Sequence, residues 1–402
     1  MTSPETTHLC AILRGESSDL LAGEAGLRLM EIARLHRVDR LVKWRTGQVD
    51  DGARADAILD EIQVLELNRV VAGLEARGVA PLVMKGAALA HTHYQESWLR
   101  PRIDADLLIP LDRRRQTFKA LRELGYSQPP FTSGELVMYQ TQFVRTGPPS
   151  QEHVLDVHWR IANPQALADC LTYDEMASRA RTISVRGQSV RTLEAVDALL
   201  LACVHRAAHH DDAEDLLWIF DIHLIAEQVT AEEWRVFVGR SLSRGVSALC
   251  ARGLRIAVAR FQTQVPPDVM ARFADTCQLP EPSALYLRKD VRRVDQLIAD
   301  LRALRTPGGA GAPDRRRSTT GRTQLMGHDR GTHTVQPFGA VGLRTDGRPH
   351  ATGSNRAVRL GHRRHATRPR RHRRIDRRAL GVWCRVRGGF GDDAGSTRRA
   401  GC

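Results

Sequence analysis

The sequence predicts an α+β fold: a small mixed sheet flanked by N-terminal helices and a C-terminal helical bundle, followed by an Arg/Gly-rich tail. Three observations predict it. Apolar residues recur at helical spacing before residue 77 and again after residue 193. Between these stretches, short apolar runs bounded by Gly, Pro and charged residues read as strands. The charge pattern then breaks at Thr306: residues 306–402 hold 22 Arg, no Lys, 6 Asp and no Glu, whereas residues 1–305 hold 38 basic and 40 acidic side chains. The expected division is an N-terminal helical region (1–77), an α/β core (78–192), a helical bundle (193–305) and a basic tail (306–402).

The first helix is expected over 18–45, where Leu20, Leu27, Met30, Leu35 and Val38 recur behind a capping Ser17-Ser18-Asp19, and the chain before it reads as loose. A second helix over 54–77 carries Ile58, Ile62, Leu65, Val70 and Leu74 and stops at Gly78. Val79–Met84 reads as a buried strand, Ala87–His93 as a short helix, Asp106–Ile109 as a strand and Arg113–Leu124 as a helix ended by Gly125. Leu136–Val144 and His153–Ile161 are strand candidates, and Thr182–Thr192 a hairpin turning at Arg186-Gly187-Gln188. Helices are expected over 194–210, 212–228, 231–262, 266–277 and 283–304.

The net charge of +14 over 402 residues resides in the tail, so the first 305 residues carry no basic excess that would mark a nucleic-acid-binding fold. No run approaches the roughly 18 apolar residues of a membrane span, and no membrane partner is expected. Met1-Thr2-Ser3-Pro4-Glu5 lacks the basic and apolar regions of a signal peptide. The seven cysteines form no C-x-x-C pair, which argues against a zinc ribbon or disulfide framework and for the reduced thiols of a cytoplasmic protein.

The tail opens on Pro307-Gly308-Gly309, holds 17 of the chain's 32 Gly and only three aromatics, Phe338, Trp383 and Phe390. Such a segment cannot bury enough surface to offset chain entropy, and disorder is expected. Two origins compete: a polybasic arm, or out-of-frame translation of a GC-rich gene. The 18 Glu of residues 1–305 against none in the tail favour the second. Nucleic acid is an expected partner only if the tail is genuine.

The chemistry is concentrated in Arg100-Pro101-Arg102-Ile103-Asp104-Ala105-Asp106-Leu107-Leu108-Ile109. Asp104 and Asp106, one residue apart at the mouth of an apolar strand, point to the same side of it. Two carboxylates ~4 Å apart repel by about 4 kcal/mol at an effective dielectric of ~20, so a cation is expected between them. Magnesium takes carboxylate and phosphate oxygens together and is the natural choice, with manganese as alternative. Asp156, between Leu155 and Val157, offers a third carboxylate; beside the first two it could complete a site for two metal ions. Upstream, Lys85-Gly86 forms a strand-to-helix turn where Gly permits close backbone approach to a phosphate and Lys85 supplies charge.

This ordered set resembles the polymerase-beta-type nucleotidyltransferase superfamily, whose signature is h-G-[GS], D-h-[DE] and a later h-[DE]-h. More narrowly it is similar to an uncharacterised bacterial nucleotidyltransferase family with the motifs L-x-K-G-a-a-L, R-P-x-x-D-h-D-L-L-V and h-D-h-H-W-R-h, here Leu82–Leu89, Arg100–Ile109 and Leu155–Ile161. The likeness extends through Val204–His209 and Leu216–Ile222, covering about residues 18–300. Ala87 departs from the superfamily's Gly or Ser, removing one hydroxyl contact to phosphate.

The resemblance implies a metal-dependent transfer of a nucleoside monophosphate from an NTP to an acceptor that could be a small molecule, tRNA or a protein. Asp104, Asp106 and Asp156 would hold the metals, and Lys85, Gly86 and Arg102 the nucleotide. The alternatives are a non-catalytic nucleotide- or partner-binding protein on the same fold, and RNA binding through the tail.

His205 and His209, four apart on one helical face, are the remaining candidates. They could share zinc or manganese. The simpler expectation is a polar network in which Asp221 orients a buried imidazole, with His210, Asp211 and Asp212 forming a solvated helix end.

Overall fold

The computed structural model describes residues 3–129, 138–147, 151–276 and 281–288, with 295, 298 and 300. The expected tail lies outside the described residues. The N-terminal helices are α1 (Pro4–Arg14), α2 (Gly23–Leu35), α3 (Asp39–Arg45) and α4 (Asp51–Glu75). Then follow β1 (Leu82–Met84), α5 (Lys85–Thr92), β2 (Asp104–Leu108), α6 (Arg114–Glu123), β3 (Gln140–Gly147) and β4 (Gln151–His158). Two short helices, α7 (Gln165–Ala168) and α8 (Tyr173–Arg179), precede the hairpin of β5 (Arg181–Val185) and β6 (Gln188–Thr192). The C-terminal helices are α9 (Ala195–His210), α10 (Leu216–Ala226), α11 (Ala231–Ser243), α12 (Ser247–Phe261) and α13 (Pro267–Thr276). The expected α+β class is what the chain adopts.

Six strands form one mixed sheet in the order β3-β4-β2-β1-β6-β5. β2 runs antiparallel to β1 and parallel to β4. Because side chains alternate across a strand, each face of the sheet receives its own layer. Val83, Leu107, Leu155 and Val157 pack against Val64, Leu67, Val70 and Leu74 of α4 and Leu121 of α6. Leu82, Met84 and Leu108 turn the other way, into the core built by α1 and the C-terminal helices. Asp104, Asp106 and Asp156 lie on this second face.

Local chemistry accounts for several boundaries. The Asp50 side chain caps α4 by accepting from the Ala53 amide. Capping boxes open α8 and α11, Thr172 with Glu175 and Thr230 with Glu233. The hairpin turns at Arg186-Gly187, both at positive φ, as a two-residue loop between twisted strands requires.

Five expectations need correction. The N-terminus is not loose: α1 buries Leu9, Ile12 and Leu13 completely or nearly so. The helix expected over 18–45 is two helices, broken where Arg37 takes φ 55°, and that over 231–262 breaks at Gly245, φ 64°. On α2 and α4 the buried face is only partly the anticipated one: Val70 and Leu74 are buried as expected, but Leu27, Leu35, Ile58 and Leu65 are 57–75% exposed, and Leu29, Ala33, Val64, Leu67 and Val71 are buried instead. Both helices carry apolar residues on more than one side, and the neighbours select the face. The helix expected over 283–304 begins as a 3-10 turn, Pro282–Leu287, and most of the rest lies outside the described residues. No helix among the described residues is long and apolar enough to cross a membrane.

Candidate active site

Strand register builds the site. Met84 pairs with Asp106 across β1 and β2, and Asp106 pairs with Asp156 across β2 and β4. Lys85 therefore leaves β1 beside Asp106, and two carboxylates from distant segments stand level on adjacent strands. Two residues further along β4, on the same face, comes His158.

These groups form a buried polar cluster. Lys85 Nζ donates to Asp106 Oδ1 at 2.7 Å and lies 3.3 Å from His158 Nε2. His158 Nε2 is 2.9 Å from Asp106 Oδ1 and 3.3 Å from Asp156 Oδ2. Gln140 Nε2 donates to Asp156 Oδ2 at 2.9 Å. Lys85 holds φ 51°, a conformation costing an L-residue about 1–2 kcal/mol, and such strain concentrates at functional sites.

The cluster is unevenly balanced. Burial works against ionisation of Asp106, but the charge of Lys85 and the hydrogen bond from His158 outweigh it and hold that carboxyl far below its ordinary range. Asp104, half-buried, is pushed up to about 6 by burial and by the negative charges of Asp106 and Asp156, which outweigh the opposing charge of Lys85. Burial and Lys85 depress the His158 imidazole, yet Asp156 and Asp106 prevail and its pKa rises. Asp156 Oδ1 and His158 Nδ1 are buried without a hydrogen-bond partner among the described residues. A carboxylate oxygen with no donor, and a neighbouring carboxyl that resists ionisation, fit a site built to receive additional positive charge. Asp106, Asp156 and His158 place one ligand atom each within 4.8 Å of one another, as a metal ion requires.

The remaining candidates take varied positions. Gly86 is buried, and a Cβ there would come within 2.5 Å of the Arg100 guanidinium. Its missing side chain thus makes room for Arg100, which is bound to Asp221 on α10 at 2.6 Å. Tyr94 donates to the same carboxylate. Arg102 is not brought to the cluster: its buried guanidinium pairs with Asp60 on α4 at 2.6 Å.

His205 and His209 do face the site. Their rings stack with centroids 5.0 Å apart, and His209 is held at about 3, by burial first and then by the charges of Lys85 and His158. His209 Nε2 is buried and unpartnered among the described residues. Asp221 does not orient either imidazole, being committed to Arg100 and Tyr94. Nor is the end of α9 simply solvated, since His210 stacks on Trp218 at 3.9 Å and Asp212 pairs with Arg206 and Arg252.

The residue that sequence reasoning missed is His158. It was visible in the h-D-h-H-W-R-h motif, and period-two alternation puts it on the face of Asp156.

Motifs far apart in the chain thus meet on neighbouring strands, the arrangement expected of a nucleotidyltransferase. The family comparison agrees: the chain belongs to the family described as uncharacterised nucleotidyltransferase, whose model matches residues 48–262, more than half of the sequence. Two solved structures are similar. One is the antibiotic-resistance factor ANT(2'')-Ia, with 16% identity over 46% of this chain and 94% of that one, TM-score 0.34. The other is an antigenic nucleotidyltransferase-like protein from Paracoccidioides brasiliensis, with 16% identity over 53% and 92%, TM-score 0.36. No curated protein matches the chain in sequence.

Proposed function

We propose that this protein is a metal-dependent nucleotidyltransferase that moves a nucleoside monophosphate from an NTP to an acceptor hydroxyl. The observation that carries this reading is the register that sets Asp106 beside Asp156, with Lys85 at the end of the adjoining strand. Asp104, Asp106 and Asp156 would hold magnesium or manganese, which when bound neutralises charge on the phosphates. Lys85, now on Asp106, would turn its ammonium to the triphosphate, helped by the first amides of α5. The unpartnered oxygen of Asp156 would accept the acceptor's proton. His205 and His209, neutral at physiological pH, would line the wall contributed by the C-terminal helices, which choose the acceptor. Arg102, tied to Asp60, would anchor the loop entering β2 and leave the phosphates to Lys85.

The test is incubation of purified protein with each NTP, Mg2+ or Mn2+ and cell extract, followed by pyrophosphate assay and intact-mass analysis of products. A mass gain matching one nucleoside monophosphate, absent in Asp106→Asn and Asp156→Asn, supports the assignment. Nucleotide binding without pyrophosphate release supports the non-catalytic reading instead.

A further inference from the structure

The polar cluster sets an imidazole nitrogen among the carboxylate oxygens. His158 is fully buried at the end of β4. Its Nε2 stands within 3.3 Å of three groups at once: the Asp106 carboxylate, the Asp156 carboxylate and the Lys85 ammonium. No protonation of that one atom satisfies all three. Carrying a proton, it donates to the carboxylates but sets N–H against the ammonium. Bare, it accepts from Lys85 but turns its lone pair on the carboxylate oxygens. The other ring nitrogen, Nδ1, has no partner among the described residues to settle the matter.

An imidazole lone pair and two carboxylate oxygens converging within 4.8 Å are resolved together by a divalent cation. Lys85 Nζ, on the same Asp106 oxygen and near the same nitrogen, marks where positive charge is wanted. Asp156 Oδ1, on a side chain more than nine-tenths buried, remains unpartnered beside it.

Resting on the metal-dependent reading above, we propose that His158 is a metal ligand through Nε2, and that the site consequently selects Mn2+ over Mg2+. Mg2+ demands a near-ideal octahedron of oxygens and gives up water reluctantly; imidazole suits the later first-row ions best, and Mn2+, which shares the preference of Mg2+ for carboxylate and phosphate oxygens, is the member of that row that stands between the two. Mn2+ accepts such a nitrogen while still taking the hard oxygens of two carboxylates and a phosphate.

The experiment uses the full chain without nucleotide, titrated with Mn2+ and followed by electron paramagnetic resonance, with Mg2+ as competitor. Mn2+ should bind at least about tenfold more tightly than Mg2+, and pulsed spectra should show coupling to an imidazole 14N. His158→Gln should abolish the coupling and most of the discrimination, while His223→Gln, on the far side of α10 against Thr263, changes neither. Bound Mn2+ without nitrogen coupling, or coupling that survives in folded His158→Gln, overturns the proposal.

Should His158→Gln fail to fold, His205→Gln and His209→Gln decide instead. They remove the other imidazoles facing the cluster, and loss of the coupling in either also overturns the assignment. Nitrogen-coupled Mn2+ in a protein that releases no pyrophosphate from any NTP supports this site while contradicting nucleotidyl transfer. Turnover with no nitrogen coupling does the reverse.

Discussion

At the scale of single residues, the two aspartates of the D-x-D motif have opposite energetic roles. Asp104 is pushed up to about 6 from an ordinary 3.8, by burial first and then by its carboxylate neighbours. A carboxyl raised on folding contributes stability below its unfolded pKa and loses it as pH rises through the folded value. At pH 7 the ionised Asp104 therefore opposes folding in the metal-free protein. Asp104→Asn should raise metal-free stability by about 1–2 kcal/mol at pH 7, after discounting for screening, with the gain shrinking as pH falls from about 6 toward 4. Asp106→Asn should instead cost about 3 kcal/mol, because Lys85 and His158 would keep buried charge without its partner. Both should reduce nucleotidyl transfer by about a thousandfold or more, near 4 kcal/mol of transition-state stabilisation. Thermal unfolding beside a pyrophosphate assay separates the two variants; equal stability changes would contradict the charge balance described.

Between elements, one carboxylate joins α4 to the sheet edge. Burial would raise Glu66, but hydrogen bonds from Arg69, Arg145 on β3 and Tyr126 outweigh it and hold it at about 2. A depressed carboxyl stabilises above its unfolded pKa, here 4.5, and that stabilisation is lost as pH falls toward 2. Glu66→Gln should cost about 2 kcal/mol at pH 7 and progressively less toward pH 3, measured by denaturant unfolding at both values. A penalty independent of pH would mean packing, not charge, joins these elements. The turn between β1 and α5 depends on another close fit. Gly86→Ala must displace Arg100 from its place against Asp221, so a loss of about 1–3 kcal/mol is expected by thermal unfolding. An unchanged melting temperature would show that the guanidinium yields freely.

For the whole molecule, the two ends of the chain should behave oppositely on truncation. Removing residues 1–16 strips Leu9, Ile12 and Leu13 from the core shared with the C-terminal helices. At roughly 1.5–3 kcal/mol for each buried aliphatic side chain, this loss rivals the stability of a typical domain. That variant should unfold well below the full chain or fail to accumulate. Removing residues 306–402 should leave nucleotidyl transfer unchanged, since among the described residues the cluster draws on positions 85–209. Activity that vanishes with the tail would favour the RNA-binding reading.

Residue patterning was informative over short range. Period-two alternation put Asp104 and Asp106 on one side of a strand, Lys85-Gly86 at a strand-to-helix turn, and Arg186-Gly187 in a hairpin. Together with the motif order, this was enough for the fold class and the family. Gly78 and Gly125 likewise marked helix ends, since caps act within four residues, whereas the cap expected at Ser17-Ser18-Asp19 is not used and α2 opens at Gly23 without one. Long-range packing set the features that depend on partners remote in the chain. It set β4 parallel to β2 with Asp156 level with Asp106, brought His158 and the α9 imidazoles to the same cluster, and turned Arg102 away to Asp60. It also chose which apolar side of α2 and α4 is buried, and drew α1 into the core. An amphipathic pattern states that a face must be covered but not by what. Strand pairing and helix docking are settled by non-local packing, where many weak contacts must be satisfied at once.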